Sequence, residues 1–210
     1  MQPLNHLTGI AAPLPLANID TDVIIRIERV AQFGKGELAP YALETLRYGP
    51  QGASGPENPE FVLNREPFRR AQILVAGENF GCGSSRENAV WALADFGIRV
   101  VIASSYGDIF FSNCFQNGVL PIRLAPGEMA RVFASITPAS PMLTVELDAQ
   151  RVVLSNGASL PFEVEPYRKA MLLAGLDEIG LTLSRLTEIE AAEVGDRQRR
   201  PWLYGEEAAA

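Results

Sequence analysis

The clearest alternation of apolar and polar positions lies between Gln72 and Leu124. Gln72-Ile73-Leu74-Val75-Ala76 is an apolar run of strand length. A stretch with helical character follows from Arg86 to Phe96, and Gly97 stops it. Ile98-Arg99-Val100-Val101-Ile102-Ala103 is rich in β-branched residues and reads as a second strand. Ile109 to Gln116 reads as a helix, closed by Asn117-Gly118. Val119 to Leu124 is a third strand, in which Pro121 marks an edge or a bulge. Strand–helix–strand–helix–strand predicts parallel pairing with right-handed crossovers. Ala89 to Ala94 is apolar nearly all round, which predicts a buried helix.

The flanks are patterned differently. A strand is expected near Leu7–Ala12, then a proline-containing loop. Asn18-Ile19-Asp20-Thr21-Asp22 is a polar turn ahead of the apolar Val23-Ile24-Ile25. Its side chains can bond nearby amides. Arg26 to Val30 extends as a helix, and Gln32 to Glu37 reads as a mobile glycine loop. Pro40 to Tyr48 is a short helix, and Gly49 to Pro59 a long loop. After Leu124 come a helix (Pro126–Ile136) and three short strands (Leu143–Leu147, Arg151–Leu154, Ser159–Val164). A last helix, Pro166 to Ala174, is closed by Gly175. One domain is expected over 1–186. Residues 187–210 are expected to be a tail, partly disordered or docked on a partner.

Between the first strand and helix of the central block stands Gly77-Glu78-Asn79-Phe80-Gly81-Cys82-Gly83-Ser84-Ser85-Arg86-Glu87. Gly81 and Gly83 can take positive φ, so successive amides can point into one concavity. Ser84 is expected as the helix N-cap, with Glu87 closing a capping box. The helix dipole and the planar fork of Arg86 both suit a carboxylate. The same residues also describe a glycine-rich turn with an ordinary serine cap.

Composition narrows the chemistry. The 210 residues are 47% apolar and carry a formal charge of −7. That balance, with no basic cluster, argues against nucleic-acid or anionic-membrane binding. No run reaches the roughly 18 apolar residues of a membrane span. The start lacks the pattern of a signal peptide, so a cytoplasmic protein is expected. Cys82 and Cys114 are too few for a four-thiolate cluster, and each reads best as a small buried residue. His6 is the single histidine. A Ser-His-Asp triad or a histidine-rich metal site within the chain is therefore improbable, and no metal ligand is assigned.

Asn79 to Glu87 resembles the signature of the small subunits of bacterial 3-isopropylmalate dehydratases, relatives of the last domain of aconitase. The resemblance runs in order through Asn18–Ile25, Phe61–Asn64, Ala76–Trp91, Asp108–Pro121 and Gly175–Leu183. It implies an α/β fold, a single swivelling β/β/α domain. It implies a large subunit that carries a [4Fe–4S] cluster, whose iron would act as Lewis acid toward the leaving hydroxyl. The implied reaction is dehydration and rehydration of a malate-type dicarboxylate, active only with that partner, as in leucine biosynthesis.

By the same resemblance Ser84 is the general base and Arg86 binds a substrate carboxylate. Gly83, Ser85, Asp20, Thr21 and Asp22 surround the substrate, although Asp20, Thr21 and Asp22 read equally as a structural turn. The chain departs from the family pattern at Asn88, where histidine is usual, and at Arg26, where proline is usual. Residues 27–37 match poorly, so substrate choice is assigned to 26–37: Val30 and Phe33 would form an apolar wall, Arg26 or Arg29 a polar one. The open alternatives are a related acid (2-methylmalate or citraconate, dimethylmalate, homoaconitate), a non-catalytic anion-binding module, or a structural partner that has lost catalysis.

Overall fold

A computed structural model describes residues 1–204. Its elements are β1 (His6–Leu14), α1 (Thr21–Ile24), α2 (Ile27–Val30), α3 (Glu44–Arg47), β2 (Ile73–Ala76), α4 (Glu87–Phe96), β3 (Val100–Ala103) and α5 (Asp108–Gln116). Then come β4 (Leu120–Arg123), α6 (Pro126–Ser135), β5 (Met142–Glu146), β6 (Arg151–Val153), β7 (Ser159–Pro161), α7 (Pro166–Ala174), α8 (Glu178–Leu183) and α9 (Leu186–Arg199). Short 3-10 turns fill the gaps, at Ala39–Tyr41 and Val62–Asn64 among others.

The strands form one sheet in the order β4-β3-β2-β1-β5-β6-β7. The half β4-β3-β2-β1 is parallel and the half β1-β5-β6-β7 antiparallel. β1 joins them: its end, Ala11 to Leu14, pairs with Ile73 to Ala76, and its start, His6 to Ile10, pairs with β5. All residues of β2 and β3 are buried, as expected where helices cover both faces of a parallel sheet. Pro121 lies on the edge strand β4, where its missing N–H costs little.

Most expected elements form within a residue or two. Three differ. The polar turn before Val23-Ile24-Ile25 runs on into the one-turn helix α1, because Asp20 Oδ1 accepts from the Val23 amide (2.8 Å) and caps it, with Ile25 as the extended C-cap. Pro40–Tyr48 is two short pieces, a 3-10 turn and α3, separated by Leu43 in the left-handed region (φ 53°). The glycine loop is anchored: Asp95 Oδ2 accepts from the amides of Gly36 (2.8 Å) and Leu38 (3.0 Å). In the tail, α9 and a 3-10 turn at Pro201–Leu203 form, and neither buries a residue. The rest of the expected tail, 205–210, lies outside the described residues. No helix among the described residues is long and apolar enough to cross a membrane.

Candidate active site

The parallel strands β1, β2 and β3 end at Leu14, Ala76 and Ala103, and the chain leaves each in a loop. Open α/β sheets bind ligands beyond these carboxyl ends. The three loops are laced together. Asn18 and Asn79 both adopt positive φ (56° and 55°), which asparagine tolerates better than most residues. Asn79 Nδ2 donates to Asn18 Oδ1 (2.8 Å), and the Asn79 amide to Ser105 Oγ (2.8 Å). The amide of Gly81 donates to Ile19 O (2.7 Å) and that of Gly107 to Phe80 O (3.0 Å).

Gly81 has φ +69° and Gly83 φ +90°. A Cβ on Gly81 would overlap the Phe110 ring, and one on Gly107 would overlap the Gly81 carbonyl. Close approach of the second and third loops therefore needs both glycines. Tyr106 locks the third loop from below: its buried hydroxyl reaches Val101 O (2.8 Å) and Ile122 O (2.9 Å). Burial pushes that phenol well above its ordinary value.

The first loop brings Asp20, Thr21 and Asp22 against Gly83, Ser84 and Arg86. The Thr21 amide donates to Cys82 O (2.9 Å). Thr21, itself buried, donates its hydroxyl to Ser84 O (3.0 Å), and its Oγ1 lies 3.4 Å from Ser84 Oγ. Asp22 forms an ion pair with Arg86. Gly83 packs over Asp20 and Thr21. Ser84 and Ser85 are exposed. Among the described residues no acceptor is in place for the amides of Gly83, Ser84 and Ser85. Gly81, Gly83 and Ser84 line an open cleft of ≈ 300 Å³ together with Gly107, Asp108, Ile109 and Phe110.

Ser84 is not the N-cap. α4 begins at Glu87, Arg86 occupies the cap position in extended conformation, and no side chain caps it. The capping box therefore does not form, and the Ser84 hydroxyl meets Thr21 Oγ1 in place of a helix amide. The helix end that opens on the cleft is the start of α5, whose Asp108 and Ile109 line it.

The 26–37 segment is placed differently from the loops. Arg29 is held by Glu44, with Nε 2.9 Å from Oε2, and its guanidinium stacks 4.5 Å from the Tyr41 ring centroid. The Arg29 hydrogen bonds hold the Glu44 carboxyl below its ordinary value against the opposing effect of burial. Phe33 stacks on the other partner of this group, Tyr41, at 4.6 Å. Val30 and Phe33 pack half-buried on the core. Arg26 pairs with exposed Glu28 (3.3 Å) and lines a cleft with Glu44, Tyr48 and Gly52. Its backbone φ of −72° is the value proline would fix, so the departure at Arg26 changes the side chain and not the chain path.

The thiols do not suit an iron–sulfur cluster, which needs thiolates gathered in one place. Cys114 is fully buried on α5, and burial pushes its thiol well above the usual range. Cys82 stands half-buried in the second loop. Among the described residues no group of three or more His, Cys, Asp or Glu could hold a metal. The lacing residues Asn79, Ser105, Tyr106 and Gly107 went unassigned in the sequence. An asparagine beside a glycine-rich turn and a glycine ahead of a helix were the only signals.

The mixed sheet with three loops at its parallel end is the architecture of an aconitase C-terminal domain, and residues 1–127 match that family. Relatives share the whole length. The 3-isopropylmalate dehydratase small subunit of Rhodospirillum centenum is 48% identical over 98% of this chain and 100% of its own. That of Granulibacter bethesdensis is 49% identical over 97% and 96%. The crystal structure of 3-isopropylmalate dehydratase from Methanocaldococcus jannaschii superposes with a TM-score of 0.65 at 26% identity, covering 90% of this chain and 99% of that one. The chain belongs to the family of 3-isopropylmalate dehydratase small subunits.

Proposed function

We propose that this chain is the small subunit of a two-subunit hydro-lyase that interconverts 2- and 3-isopropylmalate in leucine biosynthesis, a cytoplasmic step. The observation that carries the reading is the uncapped Ser84 hydroxyl, set 3.4 Å from Thr21 Oγ1 and two residues from Arg86 in an open cleft. Ser84 is the base that takes the proton next to a substrate carboxylate. A serine hydroxyl in water is far too weak for this, and Ser84 is exposed in the lone chain. A partner surface that closes the cleft excludes water and strengthens every donor aimed at the alkoxide. Those donors are the free amides of Gly83 to Ser85, the start of α5 and the Thr21 hydroxyl, which can turn from Ser84 O to Ser84 Oγ.

Arg86 uses one guanidinium N–H on Asp22. That pair orients the fork, and the remaining donors are left for a carboxylate. Ser85 adds a hydrogen bond to the same anion. The iron–sulfur cluster of this reaction class belongs in this reading to the large subunit, since the thiols here are unsuited to it. Residues 187–204, which bury nothing in this chain, are assigned to partner docking. Specificity is assigned to the 26–37 segment, with Val30 and Phe33 as its apolar side and Arg29 as a brace held by Glu44. Arg26, held only by an exposed carboxylate, favours as second reading a related diacid with an extra polar group.

The test is anaerobic co-expression with the large subunit and assay over a panel of 2- and 3-hydroxy diacids. Turnover of 3-isopropylmalate is expected only with both chains present. Iron binding and turnover by this chain alone would contradict the reading, and preference for another diacid would transfer it to that substrate.

A further inference from the structure

The sequence marks Asn117 only as part of a helix stop after α5, but its side chain joins three elements. Oδ1 accepts from Lys35 Nζ (2.9 Å) and from Trp91 Nε1 (2.9 Å). Nδ2 donates to Glu87 Oε1 (2.8 Å) and to Asn113 O (3.0 Å). Lysine and indole nitrogens only donate, so the oxygen must face them, and the orientation of the amide is fixed by its neighbours. All four of its hydrogen-bonding positions are filled. Lys35 also stands over the Trp91 ring, 5.6 Å from its centroid.

The elements joined are not incidental. Lys35 lies in the 26–37 segment, whose Gly36 amide and following Leu38 amide are tied to Asp95 on α4. Glu87 is the first residue of α4 and the direct neighbour of Arg86. Arg86 pairs with Asp22 on α1, and α1 leads within a few residues back into the 26–37 segment. The path from Asp22 through 26–37, Lys35, Asn117 and Glu87 to Arg86 therefore closes a ring. A displacement at any point of such a ring is shared with the rest, because each join is the chain itself, a filled hydrogen bond or the Asp22–Arg86 ion pair.

We propose that Asn117 is a positioning residue that couples the 26–37 segment to the Arg86 end of α4. Occupation of the substrate-reading segment then sets the direction of the Arg86 fork. The inference rests on the function proposed above for its kinetic consequence, and on the chain alone for the coupling.

The experiment has two arms. In the isolated full chain, Asn117→Ala raises hydrogen exchange at the amides of 33–38 and 87–91 together. Asn117→Asp keeps the acceptor for Lys35 and Trp91 but turns a carboxylate oxygen toward Glu87, so exchange rises at 87–91 alone. In the enzyme assembled with its large subunit, Asn117→Ala lowers kcat/KM about five- to tenfold. Glu87→Gln, which still accepts from Nδ2, loses less than Glu87→Ala. Lys35→Met and Glu87→Ala remove side chains that share Asn117 as hydrogen-bond partner without bonding each other, and their losses combine non-additively. This pair carries the test even if Asn117→Ala does not fold. Additive losses, or an exchange response of Asn117→Ala confined to one segment, would overturn the coupling. A parent complex without turnover would contradict the proposed function instead, and the exchange arm would still decide the role of Asn117.

Discussion

Arg86 shows how much depends on the shape of a single side chain. Its guanidinium is part-buried and already meets Asp22 through Nη1, so in the proposed role a substrate carboxylate is taken by the N–H groups that remain. Lysine keeps the charge but offers no fork and cannot hold two carboxylates in fixed directions. Arg86→Lys is therefore expected to lower kcat/KM of the assembled enzyme about ten- to a hundredfold, the range of a lost charge-assisted hydrogen bond, with both kcat and KM worse. Unchanged steady-state kinetics would make Arg86 a structural residue. Gly107 depends on lacking a side chain at all, since a Cβ there meets the Gly81 carbonyl and the Cys82 backbone. Gly107→Ala should cost about 2 kcal/mol or more, as overpacking does, and should lower activity further by pushing the Ser84 loop outward. Urea unfolding together with kinetics checks both parts, and an alanine variant of normal stability would refute the close-approach argument.

Elements made of contiguous apolar runs were legible before the structure, and the reason is physical. β2, β3 and the middle of α4 are dictated by burial, which a run such as Ile73–Ala76 advertises. The short pieces around α1 and α3 were not legible, because their form is set by single polar contacts. Asp20 converts an apolar run into a helical turn by capping it, and nothing in Val23-Ile24-Ile25 signals that. The glycine turn carrying Ser84 was legible as a turn but its geometry was not, since a capping serine and one that caps nothing share one spelling. Glu44 is the strongest case of a polar contact fixing an element. It is buried, accepts from Arg29 and from the Ala53 amide (2.9 Å), and thereby holds α2, α3 and the following loop together. Its carboxyl is depressed by Arg29. The stabilisation from this pair is accordingly present above the ordinary carboxylate value of about 4.3, and fades as pH falls through the lower folded value. Glu44→Gln should destabilise by roughly 2–3 kcal/mol at pH 7, below the cost for a fully buried pair because Arg29 keeps some solvent contact. The gap between parent and variant should narrow at pH 3 in urea titrations. A gap independent of pH would mean that packing, not the ion pair, holds the element.

In the proposed reading the whole molecule presents an incomplete site: Ser84 stands exposed at an open cleft, with Arg86 two residues further on and held by Asp22. Such a surface makes sense chemically only when another surface closes it, which agrees with relatives named as small subunits. The most direct measurement is the kcat of the two-subunit enzyme on 3-isopropylmalate with this chain as parent and as Ser84→Ala, with subunit affinity measured alongside. Ser84 caps no helix and is exposed, so the substitution should leave stability and assembly unchanged. The expected result is a loss of roughly a hundredfold or more in kcat, the scale of a removed general base. An assembled Ser84→Ala enzyme turning over within a few-fold of the parent would contradict the account.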